Sequence, residues 1–438
     1  MRQHLRQPLD LLGGGPGDAL GFLTVYIALL VCIPSRLVVG PLGGAGTPAQ
    51  LWGLLGVIVW IALPLRGRLA RQSVGMAMIV LTVAVVCSYL AATTRAIKAD
   101  ELRAADTALL AMLSRAGVLL VAADAVQSPE GLRRLLRRVV VGGGALATLG
   151  LLQFTTKQAY TNYIQIPGLH ANSTLLSVLS RDGFTRPAGT ALHAIEFGAV
   201  LTMILPFAMH FAMHDRSRSA LRRWYPVAAI AVAVPISISR SAIVSTVVAL
   251  LVLMPTWPRR TRREAYAVMV ALVGTLFVAL PGLLGTLTNL FTGLTGDSSA
   301  LSRSGSYSLA WQFISRNPIF GRGLGTFLPE YRILDNQYLS LAIEMGVVGV
   351  AAMLGLFATG IATAARVRRS SADTETRQLA QAMIAALTAA ACSFALFDAF
   401  SFPMSAGLTF LVFGLVDALR KTSAATAADA AVLAAGPH

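Results

Sequence analysis

Charge is scarce in this chain. Asp, Glu, Lys and Arg make up 13% of its 438 residues, against 55% hydrophobic residues and a mean hydropathy of +0.67. Soluble domains carry about 25% charged residues, so this balance points to a polytopic membrane protein and excludes a single soluble core. Cysteine is equally sparse. Cys32, Cys87 and Cys392 all fall inside apolar runs, where a disulfide framework is not expected. There is no CxxC pair and no histidine-rich cluster, so neither a metal nor any other cofactor is expected. The first apolar run, from Leu20, lacks a small-residue cleavage site and reads as a retained span. Lysine occurs three times against 33 arginines, a bias associated with GC-rich genomes.

What the chain has in abundance is apolar sequence of spanning length. Twelve candidate spans fall roughly at 20–35, 50–65, 74–94, 107–125, 139–154, 191–212, 225–239, 241–257, 266–287, 337–361, 379–397 and 403–419. The expected fold is an all-α polytopic membrane protein of about twelve transmembrane helices. The net charge of +16 is no nucleic-acid patch, because it is distributed between those runs, and no nucleic-acid partner is expected. Basic clusters at 66–71, 133–138, 216–223, 259–263, 366–377 and 420–421 follow the even-numbered runs. With Arg2 and Arg6 they put 23 of the 36 basic residues on the cytoplasmic side. Both termini are therefore expected in the cytoplasm, with the chain in the plasma (inner) membrane.

Two long loops, 155–190 and 288–336, then face outward, which makes the outer face the expected place of function. The chain divides into 1–190 (five spans and the first long loop), 191–287 (four spans), 288–336 (the large outer loop) and 337–421 (three spans). An Ala-rich tail, 422–438, is expected to be disordered.

Several outward arginines run against the positive-inside bias. Arg240, in "PISISRSAIVS", lies between two runs of about 15–17 residues, some 22–25 Å long, short of a ~30 Å hydrocarbon core. The hairpin tip would then sit below the outer surface, where a cation needs a polar cavity or a partner. Ser237, Ser239 and Ser241 around it suit a wet or anion-binding pocket. The plainer alternative is a turn arginine that snorkels to headgroups. Arg186, in "GFTRPAGTALHAIEFG", could equally be an interfacial anchor. Arg303, in "ALSRSGSYSLAWQFI", could start an amphipathic helix with Trp311 and Phe313 toward lipid. Arg322 stands between Gly321 and Gly323, in a loop whose backbone N–H groups could approach an anion, although the GK[ST] ending of a phosphate loop is missing. Four outward arginines suit a polyanion at the membrane surface, because the guanidinium fork binds phosphate oxygens in bidentate geometry.

Acidic residues complete the set. Asp335 opens the tenth run, either as a helix cap or as a reactive carboxylate. Glu344 lies nine residues later, and with Gly346 and Gly349 it could also mark close helix packing. His193 and Glu196, one turn apart at the start of the sixth run, read as a satisfied polar contact between helices.

The order of these motifs resembles the O-antigen ligase and polymerase superfamily. The elements are "RPAGT" at Arg186, "SRSA" at Arg240, "RSGSYSLAWQFISRNPIFGRGLGTF" from Arg303 and "DNQYLSLAIEMGVVG" from Asp335, over roughly residues 180–360. The resemblance implies a GT-C-like membrane glycosyltransferase that needs no metal. Its donor would be a polyprenyl-diphosphate-linked glycan, and its acceptor the hydroxyl of a glycan or lipid-glycan on the outer face. Transfer would invert the anomeric carbon. Arg186, Arg240 and Arg303 would neutralise the leaving diphosphate, and Arg322 is a further candidate for that work. Glu344 and His193 would contact substrate. Many members carry a histidine where this chain has Asp335, and a carboxylate can take the same hydroxyl proton. Composition mildly favours a polymerase over a ligase. The alternative is a twelve-span transporter or glycan flippase, but residues 1–219 and 220–438 show no repeat of the kind such proteins tend to carry.

Overall fold

The structure is a computed structural model that describes residues 16–62, 72–172, 179–181, 183–292 and 307–435. Helices α1 (Pro16–Cys32), α2 (Pro48–Ala62), α3 (Ser73–Thr93), α4 (Ala99–Ala125), α5 (Pro129–Thr156) and α6 (Ala194–His214) form the first half. They are followed by α7 (Ala220–Ile236), α8 (Arg240–Leu253), α9 (Arg259–Ala279), α10 (Leu283–Thr292), α11 (Gln337–Ser370), α12 (Thr374–Phe394) and α13 (Pro403–Ala435). A further helical stretch covers 307–314. Two-residue strands form the sheet among the described residues: β1 (Leu37–Val38) pairs with β2 (His170–Ala171), and β3 (Ser180–Arg181) with β4 (Phe184–Thr185), both antiparallel.

A helix coincides with each of the twelve apolar runs. Six of them, α3, α4, α5, α6, α11 and α13, are long and apolar enough to cross a bilayer, and the count is seven if α9 and α10, bent by 115°, form one span. The protein is an integral membrane protein. α1, α2 and α8 are apolar but shorter. At 17 and 14 residues, α7 and α8 are the short hairpin that the sequence suggested. α13 runs past Lys421 to Ala435, through the Ala-rich stretch expected to be disordered, as alanine's helix propensity favours.

The bundle is centred on α6 and α13, each with 89% of its apolar stretch enclosed, whereas α3 encloses only 39% and shows most of its surface outward. Small residues allow close approach where α2 meets α4. A Cβ on Gly117 would collide with the Gly53 carbonyl oxygen, and Ser114 on the same face donates to the Gln50 carbonyl at 2.8 Å.

The two ends of the bundle differ in chemistry. At one end, basic side chains on α5 and α13 pair with acids: Arg137 with Asp215 at 2.7 Å, Arg133 with Glu375 at 2.9 Å, and Lys421 with Asp124 at 2.8 Å. Buried Asp417 on α13 accepts from the Val74 and Gly75 N–H groups, both at 3.0 Å, and so caps α3 from another helix. At the other end lie the β1–β2 and β3–β4 ribbons and the loop residues 33–47, 94–98, 157–172, 183–193 and 315–336. The basic cluster at 66–71, with Arg2 and Arg6, lies outside the described residues.

Candidate active site

The loop-rich end is organised by a break in α11. Gly346 has φ 62°, a left-handed value that leaves its helix turn unclosed and separates the first half-helix from the rest. The backbone groups freed at the break bond to the loop that precedes it. Val347 and Val348 N–H donate to the Pro318 and Ile319 carbonyls at 2.8 and 3.2 Å, while the Ile343 and Glu344 carbonyls accept from Arg322 and Gly323 N–H at 3.1 and 2.8 Å. In an apolar surround such groups must find partners, and the loop supplies them. The contact needs glycine on both sides: a Cβ on Gly321 (φ 68°) would meet the Glu344 backbone, and one on Gly346 the Ile319 carbonyl.

A second clamp holds the same loop from the side. Buried Glu101, at the start of α4, accepts from Arg322 Nη2–H at 2.6 Å and Tyr331 O–H at 2.6 Å on one oxygen, and from Arg95 Nη2–H at 2.9 Å on the other. Arg95 also donates to the Arg322 carbonyl at 3.2 Å. The Arg322 guanidinium lies over the rings of Phe313 and Tyr331, at 5.0 and 5.2 Å from their centroids. Glu344 faces the same loop and accepts from Phe327 N–H at 3.1 Å. The Arg322 N–H and guanidinium are therefore engaged inside the protein, and both Arg322 and Glu344 fix the loop that leads to Asp335.

Below that loop opens a cleft of about 820 Å³ between α4, the start of α11 and the turn before α13. Asp335 lines it and is exposed. The cap of α11 is Asn336, whose side chain accepts from Tyr338 and Leu339 N–H at 3.0 and 3.1 Å. Opposite stand two charged residues that sequence reading passed over. Arg115, buried in the middle of α4, donates to the Phe400 carbonyl at 2.9 Å and stacks on the Phe400 ring at 4.5 Å. Asp398 accepts from the Ser401 hydroxyl at 2.5 Å. Burial pushes the Asp398 carboxyl above its usual range, and the Asp335 charge adds to that, against the pull of Ser401 and Arg115. Phe400 N–H donates to Gln337 Oε1 at 2.6 Å, which ties the Asp398 turn to the start of α11.

Beside this cleft lies a smaller one of about 50 Å³, enough for several waters or one small anionic group, lined by Arg36, Arg186 and His193. Among the described residues, no carboxylate lines it. The Arg186 Nε–H donates to the Ser237 carbonyl at 3.2 Å, so Arg186 is fixed to the α7–α8 tip whose next helix begins with Arg240. Burial, and then the Arg181 charge, lower the Arg186 pKa to about 10, so it remains a cation. His193 caps α6 by accepting from Ile195 N–H at 3.1 Å through Nδ1, which leaves Nε2 to carry the proton. The two clefts adjoin here: the His193 and Phe402 rings are 6.3 Å apart, and Phe402 lines the larger cleft.

Burial, then the Arg186 charge, push the His193 pKa down to about 4, well below the ordinary 6.5, so the ring is neutral throughout the physiological range. His193→Gln is therefore expected to leave the shape of the activity–pH profile between pH 5 and 8 unchanged. Loss of an inflection near pH 6.5 in the variant would contradict this.

The structure thus brings Arg186 and His193 into one cleft and Asp335 and Glu344 into its neighbour. Arg240 lines neither of these clefts but opens the helix next to the tip that Arg186 holds. The serines around Arg240 bond locally, Ser237 to the Val234 carbonyl at 2.6 Å and Ser239 to Ser241 at 2.9 Å, so they form a closed turn. Glu196 is the satisfied contact expected: buried, it accepts from Leu192, Met404 and Ser405 N–H at 2.6, 2.6 and 3.2 Å and joins the starts of α6 and α13. Arg303 lies outside the described residues.

A family model described as O-antigen ligase matches residues 225–354, from α7 through the break in α11. The match covers less than a third of the chain and shows the likeness of that stretch to the family. The matched stretch contains Arg240, Arg303, Arg322, Asp335 and Glu344, while Arg186 and His193 precede it. No curated protein matches the chain.

Proposed function

We propose that this protein transfers a glycan from a polyprenyl-diphosphate carrier to an acceptor hydroxyl on the outer face of the plasma membrane, as a surface-polysaccharide polymerase or an O-antigen-ligase-like enzyme. The observation that carries this reading is the pairing of clefts at the loop-rich end: one lined by Arg36 and Arg186, directly beside one that presents Asp335. In this reading all twelve apolar runs cross the membrane in a GT-C-like arrangement. The basic end and both termini are cytoplasmic, and membrane lipids surround the bundle.

Each residue then has a task. Asp335 takes the proton of the acceptor hydroxyl, and the resulting oxygen attacks the anomeric carbon. The bond from that carbon to the diphosphate oxygen breaks, and the diphosphate leaves with the electron pair. Arg186, Arg240 and Arg303 stabilise the charge that grows on it. Neutral His193 donates a hydrogen bond from Nε2 to the donor. Arg322 and Glu344 act one step away, by holding the loop that aims Asp335. Asp398 and Arg115 shape the field opposite Asp335 and orient the acceptor. No step requires a metal, and single displacement inverts the anomeric centre.

The test is transfer by purified protein in proteoliposomes, with lipid-linked glycan from the source cells as donor. Transfer is expected to survive excess EDTA, and the new linkage is expected to have the anomeric configuration opposite to that of the donor. Loss of activity with chelator, restored by a divalent cation, or a retained configuration would contradict the mechanism.

A further inference from the structure

Arg36 was not among the expected site residues, yet it stands where two cavities meet. Together with Asn162 it lines both the Arg186–His193 cleft and, on its other side, an open groove of about 610 Å³ walled by residues 164–171. Its position is fixed twice. The Arg36 carbonyl accepts from Asn172 N–H at 2.8 Å, and its Nη2–H donates to the Thr161 carbonyl at 2.8 Å. Its Nε–H is buried and meets no acceptor among the described residues. A buried, oriented donor costs free energy when unmet, and at the throat between two cavities it is a place for a ligand oxygen.

The groove has the surface a sugar chain needs. Leu37, Ile164, Ile166 and Leu169 offer apolar walls for the C–H faces of pyranose rings, while His170 offers hydrogen bonds to their rims. It lies beside the β1–β2 ribbon at the loop-rich end, beyond the ends of α5 and α6, where a glycan rather than a lipid tail would extend.

We propose that this groove is the subsite for the glycan chain of the donor, with Arg36 at its mouth bonding the first sugars beyond the diphosphate. The assignment rests on the transfer reaction proposed above. A donor held at Arg186 would thread its sugars past Arg36 into the groove, which leaves the larger cleft for the acceptor. The groove therefore contributes to affinity for long donors and nothing to the chemistry itself.

The experiment compares two donors in proteoliposomes: lipid-linked glycan extracted from the source cells, and the same material trimmed enzymatically to its first sugar. Gln165→Trp, a substitution at an exposed position, fills the groove without touching Arg186 or Asp335. It is expected to raise KM for the long donor about tenfold and to leave kcat, and both constants for the trimmed donor, unchanged. Arg36→Ala is expected to raise KM for both donors, and Arg36→Lys to recover part of the loss. A Gln165→Trp protein with wild-type KM for the long donor would overturn the groove assignment while the transfer reaction stands. A wild-type protein that transfers neither donor would overturn the transfer reaction, and the groove assignment with it.

Discussion

Asp335→Asn is expected to lower glycan transfer by about 100-fold or more, the range for losing a positioned general base. Asp335 is exposed in the larger cleft, and Asn336 carries the helix cap, so the substitution removes a proton acceptor without uncapping α11. Thermal stability is therefore expected to stay close to wild type. Asp335→Glu, which keeps a carboxylate at a longer reach, is expected to recover part of the rate. The measurement is initial transfer rate in proteoliposomes at matched protein, with melting temperature in detergent as the control. If Asp335→Asn transferred at the wild-type rate, another group would have to take the proton. If it lost rate and stability together, Asp335 would be a structural residue.

Glu101→Ala is expected to be the most destabilising single change at this end of the molecule. It leaves Arg322, 11% exposed, without its acidic partner, and removes the acceptor from Arg95 and Tyr331 as well. Breaking a buried ion pair by deleting one side costs about 3–5 kcal/mol, because the remaining charge stays buried. Glu101→Gln keeps acceptor capacity but loses the charge, and is expected to cost less. The loop 315–336 should then become accessible to protease before the bundle unfolds, since its other anchor is the break at Gly346. Limited proteolysis of the purified protein, read against melting temperature, checks this. Unchanged protease resistance in Glu101→Ala would show that the docking at Gly346 suffices alone.

The helices were legible in the sequence because apolar runs of spanning length have few other uses. The Gly-rich stretch around Arg322 was harder. Read locally, its exposed N–H groups suggested an anion site. They bond instead to carbonyls freed at Gly346, more than twenty residues away, and no local pattern announces that partnership. Glycine at 321 and at 346 are two halves of one contact, and each looks ordinary alone. Arg115 lies inside the apolar run 107–125. An arginine in the middle of such a run is itself the signal, since lipid-facing charge is costly there. Asp398 and Glu101 sit at helix ends, where acids commonly only cap, and only the folded chain shows them facing Arg115 and Arg322. Arg36 needed the pairing of β1 with β2, a contact between loops separated by four helices.

The most direct test of outward glycan transfer is the lipid-linked glycan pool of cells lacking this gene, complemented with wild type, Arg186→Ala or Arg240→Ala at equal membrane levels. The expected result is lipid-linked glycan piling up on the outer leaflet in both variants while long surface polysaccharide disappears. Single repeat units in that pool identify a polymerase, and finished chains identify a ligase. Units held on the cytoplasmic leaflet, or an unchanged pool in both variants, would contradict transfer at this site.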